Sequence, residues 1–355
     1  MKQKHQHDVG AAAEEKTVPL WIRILGGIWL VIRRALLFVL TFAVLTAGGL
    51  FAAATMIYKG PSPAARNVLV MTCLETSALK FLPRMYFDEE EITEIITENT
   101  VRATEEITDT DLIEIPTVEN SPEFDINAVE LIDITGPSYK GKMLIVNDPS
   151  RVFVGTSDTF GTGLYGKKLT ELTESYDALA GVNGGGFLDE GGVGKGGQPI
   201  GIVISQGELK YGTPDGWYEL IGFDNDNKFV IGQMSGQQAI DRGIRDAVSF
   251  GPFLIINGEP ASFYGGGGGL NPRTAIGQRA DGAVLLLVID GRQPNSLGAN
   301  YSDLISIMME YGAVNAANLD GGSSAEMIYD GAPATKCCSF YGARYLPTCV
   351  LVKKR

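Results

Sequence analysis

An α/β or α+β fold is what this sequence predicts: a mixed sheet with a C-terminal βαβ unit, preceded by one transmembrane helix and a short helical stalk. Three observations carry that expectation. Ala35–Tyr58 holds no charged residue in 24 positions. Further on, AVLLLVID (283–290), YSDLISIMMEYG (301–312) and AVNAANLD (313–320) follow one another with strand–helix–strand spacing. Short apolar runs punctuated by glycine fill residues 124 onward, and the 45 glycines cluster without collagen's three-residue period, as turns and loops do.

The uncharged run comes first in the chain. At about 1.5 Å per helical residue it is long enough for a hydrocarbon core of roughly 30 Å. Residues 1–34 carry six basic side chains against three acidic ones. The positive-inside rule therefore puts 1–34 in the cytoplasm as a tail, 35–58 across the plasma membrane and the rest outside. A cleaved signal peptide is the competing reading, because Ala52 and Ala54 mimic a small-residue cleavage site. The long charged lead-in and the length of the apolar run favour an uncleaved anchor.

Residues 59–100 are expected to form a membrane-proximal stalk of two helices. SPAARNVLVMTCLETSALKFLPRMYF predicts one that stops near Pro83, and DEEEITEIITENT another, with acids in its first turn as the macrodipole prefers. From Asp88 to Asp125 fourteen acidic residues face a single Arg102, so 101–123 is expected to be a solvated acidic linker. Residues 124–355 make the extracellular domain. There NAVELIDI, GKMLIVND and RVFVGTS predict strands, KKLTELTESYDA a helix, and LAGVNGGGF a strand running into glycines. GIVISQGELKYG and GPFLIINGEPAS predict hairpins turning at Gln206-Gly207 and Asn257-Gly258. AVLLLVID is apolar throughout, as in a strand covered on both faces. In the helix after it, Ser302 is the expected N-cap, Gly312 the stop, and Leu304, Ile305, Met308 and Met309 the buried stripe.

Composition excludes whole classes of function. The formal charge of −13 argues against a nucleic-acid partner. His5 and His7 are the only histidines and lie in the predicted cytoplasmic tail. The outer domain thus has no imidazole for a Ser–His–Asp triad, a histidine base or a typical catalytic zinc site. Its chemistry must use carboxylates, arginine, lysine, hydroxyls and backbone amides, with no cofactor required. Of the four cysteines, Cys349 could bridge to Cys337 or Cys338, and Cys73 reads as structural.

Parallel strands end at one edge of a sheet, so Asp290 and Asp320, which close the two strands of the βαβ unit, should share an edge where open sheets bind ligands. Asp320 runs into Gly321, Gly322, Ser323 and Ser324. Those glycines let a ligand approach the backbone, and amides and hydroxyls there suit an anion. Asp290 is followed by Gly291 and Arg292. Arg273, in NPRTAIG, offers a guanidinium that can hold phosphate or carboxylate through two parallel hydrogen bonds.

Taken together, NGGGF (183–187), GPFLIINGE (251–259), RTAIG (273–277) and LLLVIDGR (286–292), continuing to NAANLDGGSSAEM (315–327), resemble the phosphodiester glycosidase family, which includes bacterial exopolysaccharide-associated proteins. The likeness runs roughly from Val129 to Val352. It implies cleavage of sugar-1-phosphate diesters on the glycosyl side, releasing the sugar and leaving a phosphomonoester. By position it implies a pocket of Asn183, Gly184, Phe187, Arg273, Asp290, Gly291, Arg292, Asp320, Gly321, Gly322 and Ser323. One departure is Gly186, where the family pattern tends to carry a second aromatic before Phe187. The resemblance and the residues agree on mechanism: Asp320 or Asp290 beside the anomeric carbon, with Arg273 and the Gly321–Ser323 amides on the phosphate. Envelope polymers carrying phosphate would be the substrates. Two competing readings use the same edge: a non-catalytic glycan- or anion-binding module, and a metal-dependent phosphodiesterase with Asp189, Asp290 and Asp320 binding Mg²⁺ or Ca²⁺.

Overall fold

The computed structural model describes residues 19–76, 78–116, 125–189, 194–263, 265, 267–339 and 342–355. The chain separates into two units, residues 1–60 and 61–355. In the first, Leu20–Tyr58 forms α1, a single helix long and apolar enough to cross a membrane. Most of the expected cytoplasmic tail lies outside the described residues.

The second unit begins with Pro63–Leu74 (α2), where Ser62 accepts from the Ala65 N–H and proline takes the first helical position. This helix stops well short of Pro83, which instead opens a single 3-10 turn, Pro83–Met85. Glu89–Asn99 (α3) starts with a capping box between Asp88 and Glu91, as its acid-rich first turn suggested. The segment expected to be a solvated linker is tied down over its first part. Val101 bridges Phe263, Thr108 exchanges hydrogen bonds with Ile231, and Ile113 is buried. Spaced apolar residues among the acids find the domain surface there; 117–123 lie outside the described residues.

Among the described residues seventeen strands form three sheets, and all neighbouring pairs in them are antiparallel. In spatial order the first sheet is Val129–Thr135 (β1), Lys140–Val146 (β2), Val284–Ile289 (β13), Arg273–Arg279 (β12), Ala313–Leu319 (β14), Phe253–Ile256 (β10) and Glu259–Pro260 (β11). The second is Ala332–Pro333 (β16), Met327–Tyr329 (β15), Ala178–Asn183 (β4), Thr348–Lys353 (β17) and Val152–Thr156 (β3). The third is Glu208–Tyr211 (β6), Val203–Ser205 (β5), Ile244–Ser249 (β9), Trp217–Asp224 (β7) and Phe229–Ser235 (β8). One core cluster draws on all three, from Leu144 and Leu286 through Val182 to Phe229.

Leu169–Ser175 (α4) covers the second sheet with Leu169 and Leu172, and Gly236–Asp241 (α5) sets Ala239 against the third. Tyr301–Glu310 (α6) lies on the first sheet, packing Leu304, Ile305, Ile307 and Met308 against Leu285 and Leu287. Both faces of β13 are thereby covered, which is why its six residues are all apolar. The cap of α6 is Asn300, not Ser302, because Asn300 and Asp303 form a reciprocal box; Met309 faces outward and Ile307 takes its place in the stripe. Gly312, at φ 81°, ends this helix, and positive φ at Gln206-Gly207 and Asn257-Gly258 forms the two expected hairpin turns.

The βαβ unit is present in split form. Strands β13 and β14 run the same way, but β12 lies between them, antiparallel to both. No disulfide forms among the described cysteines. Cys349 is buried inside β17 with its thiol on the Gly155 carbonyl, which removes it from any bridge to Cys337 or Cys338.

Candidate active site

The split arrangement sets the chemistry. Arg273 pairs with Ile289 and Thr274 with Leu319, so β12 begins where β13 and β14 end. Asp290 and Asp320 thus leave the same edge on either side of Arg273, about 10 Å apart by strand spacing. The second sheet is hooked to this edge. The Asp320 N–H donates to the Gly184 carbonyl. Asn183, fully buried, donates to the Ser324 carbonyl and accepts from the Glu326 N–H, so its role here is to clamp the DGGSS turn. Gly291 is required by contact: a Cβ there would lie 2.6 Å from the Pro272 nitrogen. Gly322 is required by conformation, at φ 68°.

Between these parts is a cavity of about 350 Å³ whose walls include Glu75, Arg273, Arg292, Asn318, Asp320 and Arg344, with Gly321–Ser323 along one side. Asp320 is 14% exposed, and its carboxylate receives Arg344 Nη2 at 3.0 Å. Burial raises its pKa above the usual carboxylate range; the Arg344 charge and the Gly321 N–H pull down and Asp189 pushes up. Arg344 is held in turn by the Gly321 carbonyl at 3.0 Å and the Ser324 hydroxyl at 3.1 Å, and its guanidinium lies 4.8 Å from the Phe187 ring centre. Phe187 is therefore buried beneath an arginine. Asp189 reaches the same guanidinium at 3.6 Å.

The other two arginines differ in what they have left to give. Arg273 donates to Ala299 O, Tyr301 Oη, Gly269 O and Glu75 Oε2, the last at 2.7 Å, and packs 4.2 Å from the Tyr301 ring centre. Its guanidinium is largely engaged by the protein. Arg292, held at φ 55°, donates from Nη2 to Asn271 Oδ1, while its Nε is buried with no partner. Burial lowers its pKa, more than the charges around Cys338 and Glu75 compensate. Asn318, 2% exposed, donates to the Gly251 carbonyl and leaves Oδ1 without a partner. Buried polar atoms without partners are uncommon, and two of the cavity-lining residues, Arg292 and Asn318, each carry one.

Of the residues expected at the site, Arg273, Arg292, Asp320, Gly321, Gly322 and Ser323 line the cavity. Asn183, Gly184, Phe187 and Gly291 support its walls from behind. Asp290 reaches the shared edge but is not among the lining residues. Its carboxylate accepts the Lys336 N–H at 2.9 Å, and burial raises its pKa despite that bond. Among the described residues no three His, Cys, Asp or Glu side chains gather as a metal would require. Among the lining residues that were not foreseen are Arg344, Glu75 and Asn318. Arg344 sits in a C-terminal stretch with no pattern, Glu75 comes from the stalk, and Asn318 was signalled only as a polar interruption within NAANLD.

A model of the phosphodiester glycosidase family matches residues 176–353, half of the chain. An uncharacterized SPbeta prophage-derived protein of Bacillus subtilis, YomE, is 25% identical over 194 residues, covering 52% of this chain and 28% of that protein. The mouse N-acetylglucosamine-1-phosphodiester alpha-N-acetylglucosaminidase is 27% identical over 222 residues, 56% of this chain and 42% of that one. This chain thus spans less than half the length of these curated relatives. The catalytic domain of the zebrafish enzyme of that name, solved in a form auto-inhibited by its pro-peptide, shares the fold with a TM-score of 0.52 at 22% identity; the match covers 64% of this chain and 83% of that one.

Proposed function

This chain belongs to the phosphodiester glycosidase family, and on that premise we propose that it is a membrane-anchored extracellular hydrolase that cleaves the glycosidic bond of sugar-1-phosphate diesters. The observation that carries the reading is a single cavity in which Asp320 sits with Arg292 and Arg344. A carboxylate supports a glycosyl cation, and guanidinium groups support a departing phosphate. In the reaction, the anomeric C–O bond to phosphate breaks and the oxygen of water bonds to that carbon. The electron pair leaves on the phosphate oxygen, giving free sugar and a phosphomonoester. A phosphate leaves without a strong proton donor, so an outer domain without histidine suffices.

Asp320 is the catalytic carboxylate in this proposal, stabilising charge at the anomeric carbon or activating water. The Arg292 side chain and the Ser323 backbone receive the phosphate. Arg273, held by Glu75 and Tyr301, positions that wall. The charge asymmetry about α1 supports an orientation with the domain outside, where phosphate-bearing envelope or exopolysaccharide polymers would be met. The test is hydrolysis of N-acetylglucosamine-1-phosphate diesters by the full chain in oxygen-labelled water. Label in the sugar supports the proposal. Label in the phosphomonoester would identify a phosphodiesterase, and binding without turnover a recognition module.

A further inference from the structure

Behind the turn that receives the phosphate lies a pair of side chains that the hydrolysis does not use. The Cys337 thiol donates to the Ser323 carbonyl at 3.1 Å, and the Cys338 thiol reaches the same oxygen at 3.7 Å. Neighbouring side chains in an extended chain point to opposite faces, so two adjacent thiols turned to one oxygen require a backbone that draws them together. That backbone is irregular, and it is tied down just ahead of the pair, where the Lys336 N–H donates to Asp290 and the Lys336 carbonyl accepts from Gln293. Both thiols are half-buried, whereas Cys73 and Cys349 are buried within α2 and β17. Burial raises the pKa of each, against the pull of Arg344 on Cys337 and of Arg292 on Cys338, so at neutral pH both keep the proton they donate to Ser323.

We propose that Cys337 and Cys338 form a modifiable dithiol site, which a small-molecule disulfide closes into a vicinal disulfide, and that closure loosens the DGGSS turn and slows turnover. The dithiol chemistry stands independently of the reading of the cavity; the effect on turnover rests on that reading. In the first step one cysteine sulfur attacks a sulfur of the reagent, a mixed disulfide forms, and the reagent's S–S bond breaks to release one thiol. In the second, the neighbouring cysteine attacks the protein sulfur of that mixed disulfide, the Cys337–Cys338 bond forms, and the second reagent thiol leaves. Each departing thiolate takes up the proton lost by the attacking thiol, so the protein is oxidised by two electrons and the reagent reduced by two. Adjacency makes the second step intramolecular and fast. The ring closes across a Cα–Cα distance of about 3.8 Å, shorter than the roughly 4.4–6.8 Å of ordinary disulfides, so it is strained and readily reduced again. Such bonds are the labile ones. A disulfide sulfur has no hydrogen to donate, so the Ser323 carbonyl loses both thiols at once. Ser323 belongs to the 3-10 turn Gly322–Ser324 on the cavity wall, which places the consequence at the phosphate.

Trypsin cuts after Lys336 and Arg344, so both cysteines fall in one peptide, Cys337–Arg344, with no other cysteine. The test treats the native full-length protein, in detergent, with 4,4′-dithiodipyridine, then alkylates it with iodoacetamide under denaturing conditions and digests it. The peptide should appear two hydrogens lighter than its dithiol form and without alkyl groups, and dithiothreitol applied before alkylation should restore two alkylation sites. A peptide that stays fully alkylated, keeps a thiopyridyl group, or is joined to Cys73 or Cys349 overturns the site. In parallel, kcat/KM for the methyl diester of N-acetylglucosamine 1-phosphate should fall by about fivefold on closure, the effect of one neutral hydrogen bond, and recover with dithiothreitol. The thermal midpoint should fall and recover with it. The double variant Cys337→Ser, Cys338→Ser keeps hydroxyl donors for Ser323, so it should match the reduced parent and be indifferent to the reagent. Turnover and midpoint both unmoved by a closed ring, or an equal loss in the double variant, overturns the coupling. A parent that hydrolyses the diester in neither state refutes the hydrolase, while the peptide mass and the midpoint still decide the dithiol site.

Discussion

Replacing Arg344 with alanine tests the link between geometry and chemistry most directly. The side chain makes two charge-bearing contacts at 3.0 Å, to Asp320 Oδ2 and the Gly321 carbonyl, and covers Phe187. A hydrogen bond to a charged group contributes about 1.5–3 kcal/mol net, which corresponds to roughly 10- to 150-fold in rate if it is needed in the transition state. Loss of the cation also leaves burial opposed only by the Gly321 N–H, so the pKa of Asp320, already raised, must rise further. Two changes are expected in kcat/KM for a sugar-1-phosphate diester: a fall of that size, and an acid limb displaced to higher pH. Arg344→Lys keeps the charge but not the planar fork or its stacking, and should fall between. If Arg344→Ala stays within about threefold of the parent with its acid limb unmoved, Asp320 is not the catalytic carboxylate.

Asp320→Asn should abolish turnover while raising the thermal midpoint at neutral pH. The folded pKa of Asp320 lies above its unfolded value, so its stabilising contribution is present at low pH and is lost as pH rises through the folded pKa; the advantage of Asn should shrink on acidification when melting is followed across pH. Gly291→Ala places a Cβ 2.6 Å from the Pro272 nitrogen, a backbone atom that cannot swing away, and should cost about 1–3 kcal/mol in denaturant unfolding. Thiol titration should find Cys337 and Cys338 reactive in the native protein, and buried Cys349 reactive only after unfolding, since burial also pushes its pKa up. A disulfide between Cys349 and Cys337 or Cys338 in the native protein, cleaved by reductant, would contradict that packing.

Strand and turn assignments for β1–β6, β10, β11, β13 and β14 were legible because their causes are local, whereas the elements between Trp217 and Ser249 and the strands from Met327 onward were not foreseen. Alternation and apolar runs set the strands, and Gln206-Gly207 and Asn257-Gly258 can adopt the positive φ that their turns need. The shared edge for Asp290 and Asp320 was legible too, through the strand–helix–strand spacing, and the family resemblance added Arg273 to it. Less legible was the interposition of β12, because antiparallel insertion between two parallel strands leaves the local pattern unchanged.

By itself, then, the sequence determined an apolar span ahead of a glycine-rich sheet domain without histidine, and it named Asp320, Arg273 and Arg292 as residues of one edge. Tertiary structure alone decided which carboxylate faces the cavity: Asp290 is turned to Lys336, while Asp320 meets Arg344. It also decided that the stalk supplies Glu75 to the wall, from nearly 200 positions upstream of Arg273. The physical reason is that charges and hydrogen-bond partners meet through space. Periodicity encodes what a segment becomes, and only packing fixes what its side chains face.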